Sequence, residues 1–245
     1  MLHFLKSKPL LRDLIPNNYV DIHSHLLPGI DDGAKTIEDT ISILQQMKAF
    51  GFESIITTPH IITNIWDNTE SSIEKKHVET INTLRHRNIE TTFGYAAEYM
   101  MDDNLIKRLA NEKLLTLKDN FVLVEMSYIC PPLQLYDIIF ELQLEGYKPI
   151  LAHPERYLFY HNNFQEFDKL KKSGCQFQLN LLSTVGYYGP KITEIANELL
   201  NKGLIDFVGS DIHHQNHLDA FSKKIRIKNQ KALEKVIANN LFFLK

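Results

Sequence analysis

Five short β-type apolar runs in this chain end in side chains that can bind metal: Val20-Asp21-Ile22-His23-Ser24-His25, Ile55-Ile56-Thr57-Thr58-Pro59-His60, Val122-Leu123-Val124-Glu125, Ile150-Leu151-Ala152-His153 and Phe207-Val208-Gly209-Ser210-Asp211-Ile212-His213. Side chains alternate across a strand, so His23 and His25 project the same way, as do Asp211 and His213, and each pair can share one centre. Parallel α/β folds collect their chemistry where strands end at the C-terminal side, and these residues fall there.

Helical segments separate the strands. Thr36 is expected to cap a helix in which Ile37, Ile41, Leu44 and Met47 recur at helical spacing until Gly51. The strand Ser54–His60 leads through a polar loop at Trp66–Asn68 to a helix over about Ser71–Arg87. Strands near Glu90–Tyr95, Phe121–Met126, Pro149–Ala152, Gln176–Leu181 and Asp206–Gly209 alternate with helices near Asp103–Ala110, Gln134–Glu145, Phe164–Ser173 and Ile192–Asn201. Seven such units in 245 residues predict a slightly short barrel of parallel strands, with an open sheet as the alternative. No linker or low-complexity run divides residues 1–245, so one domain is expected.

A net charge of −3 gives no general drive toward nucleic acid or an anionic membrane, and Lys223, Lys224, Arg226, Lys228 and Lys231 read as a solvated face. Cys130 and Cys175 show no framework spacing, which suits a reducing cytoplasm. The apolar run within Met1–Lys8 is too short for a signal-peptide core, and no stretch reaches membrane-spanning length.

The candidate metal ligands are His23, His25, His60, Glu98, Glu125, His153, Asp211 and His213, all nitrogen or carboxylate donors. Such a set suits Mn, Fe, Zn or Co, and its size calls for two or three ions. Glu98 has the weakest local support, because Gly94–Tyr99 also reads as a loop with a solvated carboxylate. His3, His77, His86, His161, His214 and His217 read as ordinary histidines.

Asp21-Ile22-His23-Ser24-His25, the following Leu27-Pro28-Gly29-Ile30-Asp31-Asp32-Gly33-Ala34, Thr57-Thr58-Pro59-His60, Ala152-His153-Pro154-Glu155-Arg156-Tyr157 and Ser210-Asp211-Ile212-His213 together resemble the PHP (polymerase and histidinol phosphatase) superfamily. Within it, the chain is most similar to the bacterial manganese-dependent protein-tyrosine phosphatases of capsule and exopolysaccharide operons, the CpsB/CapC/YwqE group. The resemblance runs from about Tyr19 to His213, which leaves residues 1–18 as an N-terminal extension. It implies a distorted seven-stranded (β/α) barrel with a trinuclear Mn²⁺ centre. His23, His25, Glu98 and Asp211 would hold one ion, with Glu98 bridging to a second held by Glu125 and His153. His60 and His213 would hold the third. Asp32 stands where other members often place a histidine. The implied substrate is a phosphotyrosine protein, the C-terminal tail of a bacterial tyrosine autokinase.

For phosphomonoester hydrolysis, Arg156 is the candidate phosphate clamp, against the alternative of a surface arginine paired with Glu155. Asp32 is the candidate proton donor, although neighbouring cations should keep it ionised. Tyr128–Pro132 and Tyr187–Pro190 are expected at the rim of the catalytic face, where the aromatic rings either stack on a phosphotyrosine or serve loop packing. A cysteine-dependent mechanism is excluded: Cys-x5-Arg is required, and the residues six after Cys130 and Cys175 are Tyr136 and Leu181. The rival readings are a small-molecule phosphatase such as histidinol phosphatase, an amidohydrolase, and a non-catalytic PHP binding module. A nuclease lacks a basic track.

Overall fold

The computed structural model describes residues 7–244, so the readings made on the first six residues, including His3, lie outside the described part. Nine strand segments form: β1 (Tyr19–Asp21), β2 (Phe52–Thr57), β3 (His60–Ile61), β4 (Thr92–Tyr95), β5 (Glu98–Met100), β6 (Phe121–Glu125), β7 (Lys148–Ala152), β8 (Gln176–Asn180) and β9 (Phe207–Gly209). All neighbours pair in parallel, in the orders β1-β2-β4 and β3-β5-β6-β7-β8-β9.

The two sheets are one wall. The expected strand Ser54–His60 breaks at Thr58-Pro59, because Pro59 has no N–H and the Thr58 N–H turns to donate to Ser24 O at 2.7 Å. The next strand breaks at Ala96-Ala97 and resumes as β5. Across this gap Ala96 N–H donates to Thr57 O and Glu98 N–H to Pro59 O, at 2.9 and 3.1 Å. The nine segments are therefore seven staves.

The barrel closes between β9 and β1, and largely through side chains. Beyond the strand ends, Asp211 N–H donates to His23 O at 2.7 Å and His25 N–H to Ile212 O at 2.9 Å. Buried Asp21 accepts from Ser210 N–H at 2.8 Å and from its hydroxyl at 2.6 Å. Lower down, the Asn240 amide donates to Val20 O at 2.9 Å and Val208 O at 2.8 Å while its oxygen accepts from Val208 N–H at 3.0 Å. Asn240 is fully buried, so Asn240→Ala strands several backbone groups. A loss of about 2–4 kcal/mol is expected in urea unfolding. A change below about 0.5 kcal/mol would mean that this clamp is dispensable.

Strand alternation sorts the apolar residues. Val20, Ile22, Ile56, Phe121, Leu123, Ile150, Ala152 and Phe207 form one cluster with Phe243 from the C-terminal turn. Val122, Val124, Leu151, Phe177, Leu179 and Val208 pack in the second cluster with helical residues such as Ile43, Ile139 and Leu199. Those helices are α1 (Ile37–Ala49), α2 (Glu70–His86), α3 (Asp103–Leu109), α4 (Leu135–Leu144), α5 (Gln165–Lys172), α6 (Pro190–Asn201), α7 (Gln215–Ala220) and α8 (Gln230–Asn239).

The start of α1 follows its sequence signal, with Thr36 and Asp39 forming a reciprocal capping box. In α2 the cap is Thr69, so the helix begins slightly before the expected Ser71. The sequence reading did not include α7 and α8. In α8 only Leu233, Val236 and Ile237 are buried, too thin a stripe to stand out beside the basic residues. Lys223, Lys224, Arg226, Lys228 and Lys231 are exposed, with Ile225 and Ile227 buried between them. The described part of the extension packs here: Leu11 is buried, and its N–H donates to Lys223 O at 2.9 Å.

Candidate metal centre

At the C-terminal ends of the staves, the eight expected ligands converge. Glu98 is fully buried, and this sets aside the alternative of a solvated loop carboxylate. Its Oε2 lies 3.2 Å from His23 Nε2, 3.4 Å from His25 Nε2 and 3.2 Å from His60 Nδ1, and its Oε1 lies 3.1 Å from His153 Nε2. Asp211 Oδ1 is 3.3 Å from His23 Nε2 and 3.5 Å from His25 Nε2. Glu125 Oε1 lies 2.9 Å from His60 Nδ1.

Four overlapping groups result: His23, His25 and Asp211; His23, Glu98 and His153; His60, Glu98 and Glu125; and His25, Asp32, His60 and His213. The sharing differs from the expected scheme: Glu98 stands outside the group of His23, His25 and Asp211, and His25 and Asp32 join His60 and His213. Glu125 groups with His60, while His153 groups with His23, and Glu98 joins both sets. His60 spans two groups, because its Nδ1 faces Glu125 and its Nε2 lies 3.5 Å from Asp32 Oδ1.

Local backbone geometry aims several of these groups. Strand parity would send His153 outward with Leu151, but a left-handed φ of 38° turns it in. Asp211 is likewise left-handed, at φ 51°. Non-glycine residues there cost about 1 kcal/mol or more each, strain that accumulates where a site requires it. Gly209 lets the wall approach, since a Cβ on it would lie 2.6 Å from His23 Cβ.

Supporting hydrogen bonds come from residues that the sequence did not single out. Asp31 Oδ2 lies 2.8 Å from His25 Nδ1, and Gln178 Oε1 lies 2.8 Å from His23 Nδ1, which directs each Nε2 into the centre. Asp31 stood unread beside Asp32, and Gln178 carried no signal beyond its place on a strand. His217, read as ordinary, is buried in the wall of the site, and its Nδ1 accepts from His213 N–H at 3.2 Å. Burial and neighbouring His214 push its pKa down to about 4, so it stays neutral.

The donor set fits cations. His25 Nε2, which faces Glu98 and Asp211, and His60 Nδ1 and Glu125 Oε1, which face each other, are all buried without hydrogen-bond partners, an arrangement that costs free energy unless an ion joins them. Charge leads to the same conclusion. Burial opposes a proton on His23, yet the Glu98 and Asp211 carboxylates overcome it and raise its pKa to about 9. Glu98 and Asp211 are held well below the carboxylate range by the surrounding histidines, despite burial. Without metal, His23 therefore carries a proton at neutral pH, and a cation must displace it. Apparent metal affinity should rise with pH towards about 9, with proton release visible as buffer-dependent heats in calorimetry. An affinity unchanged between about pH 6 and 8 would contradict this charge balance.

Arg156 does not pair with Glu155. Glu155 is buried and accepts from Asn180 N–H at 3.0 Å and from the Ser183 hydroxyl at 2.7 Å. Arg156 instead donates to Asp211 Oδ2 at 2.7 Å, and its guanidinium lies 4.3 Å from the Tyr188 ring centroid and 4.8 Å from that of Tyr128. The two rim tyrosines thus stack on the arginine. Together with Asp32, His60, Glu125 and His213 they line a pocket of about 360 Å³. Asp32 is half exposed, and despite partial burial His213 and His60 hold its carboxyl low, which weakens it as a proton donor.

A parallel barrel that gathers histidines and carboxylates beside a fixed arginine defines a class of site made for cations and an anionic substrate. More particularly, the chain belongs to the CpsB/CapC family of capsular polysaccharide synthesis, whose model matches residues 19–244. It is 29% identical over 196 residues to the tyrosine-protein phosphatase YwqE of Bacillus subtilis strain 168, covering 80% of this chain and 77% of that protein. It is 26% identical over 228 residues to the tyrosine-protein phosphatase CpsB of Streptococcus pneumoniae, covering 87% and 94%. A solved structure from work on these two proteins, described as metal-dependent tyrosine phosphatases, superposes with a TM-score of 0.77 at 27% identity, covering 92% of this chain and 88% of that one.

Proposed function

We propose that this protein is a single-domain, metal-dependent phosphomonoesterase that removes phosphate from tyrosine in proteins. The observation that carries the reading is the convergence of four overlapping ligand groups on one pocket that also holds Arg156. Its family and the tyrosine-protein phosphatases it resembles support the substrate class.

His23, His25, His60, Glu98, Glu125, His153, Asp211 and His213 would hold manganese, in two or three ions, and Asp32 would join His60 and His213 as a ligand. Nitrogen and carboxylate donors without thiolate suit that metal, as they do iron, zinc and cobalt. When bound, such ions supply a nucleophile from water at neutral pH and neutralise phosphoryl oxygens.

The chain's own residues do the rest. Arg156 binds two phosphoryl oxygens through its planar fork, held in place by Asp211 and the two tyrosine rings. The phenolate leaving group needs little acid assistance, because tyrosine's pKa is about 10. Glu98, shared between groups, sets the spacing of the centre.

The physiological substrate is assigned to the tyrosine-rich tail of a bacterial tyrosine autokinase that controls capsule or exopolysaccharide synthesis, in keeping with the family. A cytoplasmic location is part of this proposal, in keeping with the free thiols of Cys130 and Cys175, which suit a reducing compartment. The test is a substrate panel with manganese-loaded protein: a phosphotyrosine peptide, histidinol phosphate and a phosphate bis-ester. Preference for the peptide is expected, whereas preference for histidinol phosphate would replace the substrate and keep the centre.

A further inference from the structure

Helix α4 is apolar on both sides. Leu135, Ile138, Ile139 and Leu142 are buried against the barrel. Facing away, Leu133 just before the helix is fully exposed, Phe140 is 60% exposed and Leu144 is 65% exposed, with Tyr136 at 40%. Within the helix Tyr136, Phe140 and Leu144 recur at four-residue spacing and so form one stripe, which Leu133 precedes at its N-terminal end. The helices on either side in sequence behave differently: α3 exposes Asp103 and Lys107, and α5 exposes Gln165, Lys169 and Lys172. A stripe of large apolar side chains left in water marks an interaction surface.

The position of the stripe identifies its occupant. At its upper end the preceding loop continues it through Ile129, which is 88% exposed, to Tyr128, which lines the catalytic pocket and stacks on Arg156. From Leu135 to Leu144 the helix rises about 14 Å, the reach of about four residues of extended chain. A polypeptide whose tyrosine enters the pocket must lead its neighbouring residues out over the rim, and this is an apolar path that begins there. Every charged residue on α4 is acidic, Asp137 and Glu141, and Glu145 follows at its end. Asp137 stands three residues before Phe140 and Glu141 three before Leu144, each at the spacing of helical neighbours, so the path favours basic over acidic companions.

We propose that the α4 stripe is the docking track for the segment of substrate beside the phosphotyrosine, and that it selects apolar residues interspersed with lysine or arginine. This rests on the phosphotyrosine reading, which supplies a polypeptide to dock. The track adds affinity for the flank and leaves the chemistry at the pocket unchanged.

Kinetics on manganese-loaded protein test it, with three substrates: free phosphotyrosine, a phosphotyrosine peptide flanked on both sides by Leu, Phe and Lys, and its Gly/Ser-flanked counterpart. Wild type is expected to show a KM about tenfold lower for the apolar-basic peptide than for the Gly/Ser peptide, at similar kcat. In Leu133→Asp and Phe140→Asp that advantage disappears, while free phosphotyrosine is turned over as in wild type. Both side chains are exposed, so neither substitution empties the core. Equal KM for the two peptides in wild type, or an equal loss on free phosphotyrosine and on peptide in the variants, overturns the proposal. A wild-type dimer that Phe140→Asp dissociates without changing the peptide KM assigns the stripe to a second copy and also overturns it. If wild type hydrolyses none of the three substrates, the phosphotyrosine reading fails. Fluorescence anisotropy of the labelled peptides with wild type and Phe140→Asp then decides the track alone: tighter, Phe140-dependent binding of the apolar-basic peptide upholds it, and equal binding overturns it.

Discussion

Glu98→Gln is expected to lower kcat/KM for a phosphotyrosine peptide by roughly 10³-fold or more, and to do so by depleting bound metal. One carboxylate serves the whole centre: Oε2 faces His23, His25 and His60, and Oε1 faces His153. The amide is close in shape but carries no charge, and its NH₂ points hydrogens at ring nitrogens that should offer lone pairs to an ion. The surrounding histidines hold the Glu98 carboxyl well below its ordinary range despite complete burial, so its negative charge is integral to the centre. Elemental analysis after gel filtration should show fewer metal ions per chain than wild type, with the fold retained by circular dichroism. Full metal content with more than about a tenth of wild-type turnover would remove Glu98 from the role of shared ligand.

Arg156→Ala is expected to cost roughly 10²–10³-fold in kcat/KM while metal content stays at the wild-type level. The guanidinium contributes positive charge and two parallel donors, and Asp211 and two tyrosine rings fix it before substrate arrives. Lysine reproduces the charge but not the fork or the stacking, so Arg156→Lys should recover little. The substitution also frees Asp211 Oδ2, which Asn180 still reaches at 2.8 Å, and Asp211 Oδ1 keeps its place beside His23 and His25. Separation of metal retention from activity distinguishes this residue from Glu98. Unchanged turnover, or metal loss like that of Glu98→Gln, would contradict its assignment to the phosphate.

Much of this architecture was legible because strand ends and ligands coincide in the sequence. Alternation of apolar runs with helical segments fixed seven staves, and the capping box at Thr36 and Asp39 placed a helix start accurately. The breaks within two staves were not legible, since they depend on where a strand must bend to close the barrel. Pro59 was visible, yet its consequence was not. The seam was also hidden: Asp21 and Asn240 act across separations of 189 and 220 residues. At the site, Glu98 and His153 could be named but not aimed. The orientation of His153 depends on a left-handed backbone angle that no propensity scale assigns to histidine, and the sharing of ligands among groups depends on distances between different staves. The tyrosines show the reverse case. Their place at the rim followed from the strand order, but the stacking of Tyr128 and Tyr188 on Arg156 was not legible, since it depends on distances between different loops.

The most direct test of the account is turnover of a phosphotyrosine peptide by chelator-stripped protein as manganese is added back, with bound metal counted at each step. The account predicts negligible hydrolysis without metal, and activity that rises with occupancy to a plateau at two or three ions per chain. Hydrolysis at the full rate by the stripped protein, or manganese bound to saturation without any turnover of the peptide, would contradict it.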